Sequence, residues 1–282
     1  MIDPISLSEN MMYGTLILYT EREQGTGFLY ETPSKRIVVV SNRHLVEGTD
    51  KLDFSKSEIK QFIKTIIHIK GGNATVTGQV CWHLHPSVDL AFFSLDELLA
   101  PYEKTISLDQ DYLFALSEKF IPTQKQLDEL SACEDVTMVG YPSGRFDQAN
   151  NYPLFRYGKT ATHPAVDFNG GKMGLIDVPC LPGSSGSPVM ILNEGSFHTK
   201  KGDVVIGSRL IFIGIEVSMP YRENKVVKDK KDPDTGNVLF DENGKKLIEE
   251  TELYIQEDLS MGFYIKSTEL LAFNRFFKSL GL

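Results

Sequence analysis

The sequence predicts an all-β protein of the sandwich or barrel kind. Three observations carry this. Short apolar runs recur along most of the chain, Val, Ile, Phe and Tyr dominate them, and Gly, Pro, Asn and Asp separate them. No alternation of strand and helix is visible, so a parallel βαβ sheet is not expected. In order, the runs are 13–19, 27–30, 36–40, 90–94 and 136–140, followed by 175–178, 188–192, 204–206, 210–218 and 262–266. Two stretches break the regularity. Residues 96–132 are polar with scattered apolar positions and include Gln126-Leu127-Asp128-Glu129-Leu130, a candidate short helix. Residues 221–258 are rich in Lys, Asp and Glu, and 239–247 within them read as a hairpin around a tight turn. Apolar residues at 270, 271, 273, 276, 277 and 280 then mark one face of a C-terminal helix over 267–280.

Composition narrows the class. The 282 residues suffice for one large or two moderate domains, and 41% hydrophobic with 24% charged residues is ordinary for a globular chain. No run approaches the roughly 18 apolar residues of a membrane-spanning helix, and Met1-Ile2-Asp3-Pro4-Ile5 lacks the basic and apolar regions of a signal peptide. A net charge of −9 repels nucleic acid and anionic lipid, so neither is an expected partner. Cys81, Cys133 and Cys180 are odd in number and widely spaced, which suits free thiols in a reducing compartment. A cytoplasmic location is the expectation.

Three segments carry candidate chemistry. In Gly183-Ser184-Ser185-Gly186-Ser187-Pro188, glycines flank a serine whose hydroxyl a tight turn can project, with the N–H groups of Gly183 and Ser185 available to an oxyanion. The same hexapeptide alone reads equally as a surface turn. His44 follows the strand 36–40 directly, where its ring can enter a cleft and take a proton on Nε2. Asp89 heads the apolar strand 90–94, where its carboxylate can accept from His44 Nδ1–H and fix the tautomer. Individually each is weak. Together they stand in the order His, Asp, Ser, with the first two in the N-terminal β half and the serine in the C-terminal half.

At these residues the sequence resembles the trypsin/chymotrypsin-like serine protease superfamily, in particular its bacterial and HtrA-like branch without a PDZ domain. Further matches are Gly25-Thr26-Gly27-Phe28, Asn42-Arg43-His44-Leu45-Val46, Asp89-Leu90-Ala91, Val139-Gly140-Tyr141-Pro142, Gly214-Ile215-Glu216-Val217-Ser218 and Gly262-Phe263-Tyr264-Ile265. The resemblance implies two six-stranded antiparallel β-barrels with a C-terminal helix. It sets an N-terminal barrel over 8–100, a connection over 101–133, and a C-terminal barrel over 134–282 with the charged insertion 221–258. It further implies a serine endopeptidase with catalytic His44, Asp89 and Ser185, an oxyanion hole of Gly183 and Ser185, and a substrate pocket of Pro179, Glu216, Val217, Ser218 and Gly262. Its expected partners are a protein or peptide substrate and a regulatory protein, with no cofactor.

Departures from the family's pattern shape the expectation. The position before the nucleophile is Ser184 and not an acid, so activation through an ion pair with a new N-terminus is not expected. Pro179 offers the pocket base no charge; Glu216 either favours a basic P1 side chain, or pairs with a neighbouring lysine or points outward. A zinc site is set aside. Cys81, His83 and His85 alternate as on one strand face, yet no fourth ligand is evident. Calcium binding at 232–243 fails because Asn243 stands where an EF-hand needs glutamate. The rival reading is a catalytically silent fold acting as a protein-binding or scaffold module.

Overall fold

A computed structural model describes residues 2–49, 52–69, 72–106 and 112–280. The first barrel is built from β1 (Thr15–Tyr19), β2 (Gln24–Glu31), β3 (Ile37–Ser41), β4 (Glu58–Ile69), β5 (Gly72–Leu84) and β6 (Ala91–Ser94). Their order is β1-β4-β5-β6-β3-β2, closed by the antiparallel β1–β2 pair, and the two-residue β7 (Leu116–Ser117) adds in parallel to β2. The second barrel uses β8 (Asp135–Gly140), β9 (Leu154–Thr160), β10 (Met173–Asp177), β11 (Pro188–Asn193), β14 (Arg209–Ser218) and β17 (Gly262–Lys266). It closes in the order β10-β17-β14-β11-β8-β9. The expected double six-stranded antiparallel architecture is therefore present.

Period-2 patterning explains the strands. In β5 the side chains of Val76, Val80, Trp82 and Leu84 are buried inside the first barrel, while Thr77, Gln79, Cys81 and His83 lie outside or half-buried. A second cluster joins the barrels: Phe28, Tyr30, Val38, Val40 and Phe92 of the first pack with Val139, Met190, Phe212, Ile215 and Ile265 of the second. Phe28 meets Phe212 edge-on at 5.4 Å between ring centres.

The helices are few. A capping box of Ser6 and Glu9 starts α1 (Leu7–Gly14), which the sequence reading does not anticipate. Helix α2 (His44–Glu47) and α3 (Leu95–Leu99) are single turns. In the connection, Thr123 and Gln126 form a second capping box that starts α4 (Gln124–Asp128), the expected short helix. After a 3₁₀ turn at Ser267–Glu269, α5 (Leu270–Leu280) returns to the first barrel and seats Phe273 and Phe277 on Phe92, each at 4.8 Å.

The charged insertion is regular, not irregular. It forms a ribbon of β15 (Tyr221–Asp229) and β16 (Ile248–Asp258), and the bridge between Phe240 and Lys246 places the expected tight turn at its tip. The hairpin of β12 (Ser196–His198) and β13 (Val204–Ile206) follows β11.

Candidate active site

The residues singled out in the sequence are carried by both barrels, His44 and Asp89 by the first and Ser185 by the turn before β11 of the second. β3 pairs on both edges, with β2 and β6, so the chain leaves it at a fixed point and Asn42, Arg43 and His44 follow within one turn. Arg43 is fully buried. Its guanidinium donates to Glu47 Oε2 at 2.6 Å, to the His85 carbonyl at 2.8 Å and to the Asp53 carbonyl, and it lies over the Phe54 ring. Five fixed donors make this one side chain a bolt between α2, the loop after it and the end of β5.

His44 is 7% exposed. Its Nδ1 lies 2.6 Å from Asp89 Oδ2, and its backbone N–H donates to Asp89 Oδ1 at 2.8 Å. Asn42 Nδ2 donates to the Asp89 carbonyl at 2.8 Å. Asp89 thus grips both the ring and the backbone of residue 44, and Asn42 holds Asp89 in turn. Burial alone would lower the His44 pKa, but the Asp89 hydrogen bond and charge, with Glu23 and Glu216 behind them, raise it above the ordinary imidazole value.

Ser185 is half-buried in the turn before β11. Gly183 and Gly186 adopt φ of +89° and +90°, which L side chains avoid. A Cβ on Gly186 would stand 1.9 Å from the Thr26 carbonyl and 2.5 Å from Ser41 Oγ, so only glycine lets this loop lie against β2 and β3. The loop is bonded there: Thr26 N–H donates to the Ser185 carbonyl at 2.9 Å, and Thr26 Oγ1 donates to the Gly183 carbonyl at 2.9 Å. Ser41 Oγ donates to the Thr26 carbonyl at 2.6 Å, linking the loop to the strand that leads into His44. Within the loop the N–H groups of Leu181, Ser184, Gly186 and Ser187 are all bonded. Among the described residues, those of Gly183 and Ser185 donate to no protein acceptor. Ser184 is fully buried and its Oγ accepts from Leu181 N–H, so a neutral contact occupies the position before Ser185.

Glu216 lies on β14, whose backbone brackets the loop: Gly186 N–H donates to the Glu216 carbonyl at 3.0 Å and Glu216 N–H to the Ser187 carbonyl at 2.9 Å. Its side chain is 2% exposed, next to the buried Cys180 thiol, and Oε2 has no hydrogen-bond partner. Glu216 thus neither points outward nor pairs with a lysine. Burial raises its pKa to about 8, partly offset by Cys180 and His44. A carboxyl in this state is mostly neutral at pH 7 and is not presented to a basic substrate side chain. Val217 and Gly262 are buried and Pro179 and Ser218 exposed, on the β14–β17 pair and the approach to the Ser185 loop. A Cβ on Gly262 would fall 2.3 Å from Cys180 Sγ, so Cys180 fills the space beside it. The sequence reading quotes Asn42 and Arg43 only as part of the His44 motif and Cys180 only as a free thiol, and gives none of the three a role at the site.

These features define a class. Residues 25–197 match the trypsin-like peptidase domain family, more than half of the chain, and the protein belongs to that family. No curated protein sequence matches it. Among solved structures it is similar to the inactive form of the Rv3671c protease, with a TM-score of 0.46 and 13% identity over 93% of this chain and 87% of that one. It is similar as well to the inactive form of a serine-to-alanine mutant of Rv3671c from M. tuberculosis H37Rv, with a TM-score of 0.44 and 13% identity over 96% and 88%. All three cysteines are free: Cys81 half-buried, Cys133 exposed and Cys180 buried. No helix among the described residues is long and apolar enough to cross a membrane.

Proposed function

We propose that this protein is a serine endopeptidase that hydrolyses protein or peptide substrates through an acyl-enzyme, with Ser185 as nucleophile, His44 as general base and Asp89 as the residue that orients it. The observation that supports this best is the double hydrogen bond of Asp89 to His44, at Nδ1 and at the backbone N–H. With Nδ1–H donating to Asp89, Nε2 is left as the acceptor for the Ser185 hydroxyl proton. The serine oxygen adds to the substrate carbonyl, and the oxyanion takes hydrogen bonds from the unbonded N–H groups of Gly183 and Ser185. The imidazolium, stabilised by Asp89, then protonates the departing amine. Water repeats the sequence on the acyl-enzyme and restores Ser185. Pro179, Val217, Ser218 and Gly262, with Cys180 and a neutral Glu216, form the P1 pocket, and a cytoplasmic location fits the free thiols.

A fluorophosphonate probe tests this reading. Wild-type protein is expected to be labelled at Ser185, and Ser185→Ala to be unlabelled. On a protein substrate, Ser185→Ala and His44→Ala are each expected to lower kcat by roughly 10⁴-fold. A wild-type rate in either variant, or labelling that survives Ser185→Ala, would overturn the assignment.

A further inference from the structure

We propose that Glu58, Cys81 and His83 form a zinc(II) site on the outer face of the first barrel. The strand ladder brings them together. Glu58 of β4 stands directly opposite His83 of β5, and Cys81 lies two residues along β5 on the same face. His83 Nδ1 is 3.2 Å from Glu58 Oε1, and the thiol, imidazole and carboxylate donor atoms all lie within 4.8 Å of one another. A tetrahedral zinc ion bound at 2.0–2.3 Å sets its donors about 3.4–3.6 Å apart. The widest spacing therefore needs to close by at most about 1.3 Å, and the His83–Glu58 pair to open slightly, within reach of side-chain rotation on a fixed backbone.

The surroundings favour a cation. Stacking on Phe92 at 5.0 Å and 27° holds the His83 ring. Both carboxylate oxygens of Glu97 accept from the Cys81 N–H, at 3.2 and 3.1 Å, which places a further negative charge behind the thiol. Glu58 and Glu97, set against Lys60 opposite Cys81, leave a net charge of −1. Loss of the thiol proton to solvent on binding brings it to −2, matching the dication. Cys81 and His83 are half-buried and Glu58 is exposed, so an ion has a path in and room for water as fourth ligand. His85, the third ligand the sequence pattern suggests, is excluded. β5 ends at Leu84, and His85 Nδ1 accepts from the backbone N–H groups of Ser87 and Val88. Glu58 takes its place from the neighbouring strand, where sequence spacing does not reveal it.

A bound ion would tie β4 to β5 beside the turn that carries Asp89, so its expected effect is on stability. The site rests on β4–β5 geometry alone, and its test needs no peptidase activity. Cobalt(II) titrated into the full chain is expected to give a thiolate-to-metal charge-transfer band and the intense visible bands of a four-coordinate ion. Zinc(II) should displace it at one equivalent and raise Tm. Cys81→Ser should abolish the charge-transfer band, Glu58→Gln and His83→Gln should weaken binding at least about 10-fold, and Cys133→Ser should change neither. Equal spectra and affinity for wild type and Cys81→Ser, or only weak six-coordinate binding, would overturn the proposal. Circular dichroism of each variant separates loss of binding from loss of fold.

Discussion

Glu216 combines a buried carboxyl, an oxygen without a partner and a backbone that clasps the Ser185 loop. Its titration has a definite sign. In the unfolded chain it loses its proton near the usual carboxylate pKa, whereas in the fold burial raises the pKa to about 8. Between these values the folded state holds one more proton, so this group's contribution to stability falls as pH rises, at about 1.4 kcal/mol per unit. Glu216→Gln removes that slope, and denaturation at pH 5, 6.5 and 8 should show the variant gaining on wild type with each step. Because Glu216 holds its proton across the pH range where His44 titrates, the same substitution removes no charge there, and the acid limb of kcat/KM is expected to stay in place. A limb shifted to lower pH together with an unchanged stability slope would mean that Glu216 is ionised in the fold. The sequence places Glu216 correctly on a strand beside the candidate site. It gives no sign of the carboxyl's state, because that depends on Cys180, His44 and Asp89, which lie far off in the chain.

At the scale of elements, what was legible depended on whether a strand is apolar throughout or only on one face. Runs such as Pro188–Asn193 and Gly262–Lys266 stand out because both neighbours and core demand apolar side chains. The two longest strands of the first barrel, β4 and β5, escape an apolar-run reading because Lys60, Phe62, Lys64, Thr75, Thr77 and Gln79 alternate outward along them. The β15–β16 ribbon escapes for a related reason: it projects from the barrel, so no core imposes a pattern on it. The Ser185 loop was legible from its glycines, and a matched pair of substitutions tests why they are there. Gly186 and Gly195 share φ near +90°, but a Cβ on Gly195 meets nothing within 4 Å, whereas one on Gly186 meets the Thr26 carbonyl at 1.9 Å. Gly195→Ala should cost about 1 kcal/mol from the left-handed backbone alone and leave activity intact. Gly186→Ala must push the loop off β2, and a loss of at least about 100-fold in kcat/KM is expected with the barrels still folded. Equal effects of the two would show that strain, not the close approach, decides.

The barrels do not stand apart: one apolar cluster spans both, and α5 closes it by packing Phe273 and Phe277 from the second barrel's end onto Phe92 of the first. Such shared burial makes a single cooperative transition the expectation, and two buried histidines tie that transition to pH. His85 is 1% exposed, packed edge-on against Phe273 at 5.0 Å; His68 is 7% exposed, between Tyr13 and Tyr152. Burial lowers both pKa values to about 4. Between the unfolded value of 6.5 and 4 the unfolded chain binds these two protons and the folded one does not. Stability present above pH 6.5 is therefore lost as pH falls, by up to roughly 3 kcal/mol for each residue. His44 acts in the opposite sense, because its raised pKa makes its contribution fade as pH rises, and Glu216 declines in the same sense from the ordinary carboxylate pKa up to about 8. Stability should accordingly be highest between the acid loss driven by His68 and His85 and the slower loss above neutrality. Denaturant unfolding at pH 4.5, 5.5 and 6.5 is expected to show a steep acid decline, shallower in His68→Phe and in His85→Phe. Because His85 lies beneath α5, its protonation strikes the contact that joins the barrels, so fluorescence from Trp82 in the first barrel and circular dichroism of the whole molecule should lose their signals together. A decline as steep in both variants as in wild type would place the acid sensitivity in the carboxylates instead.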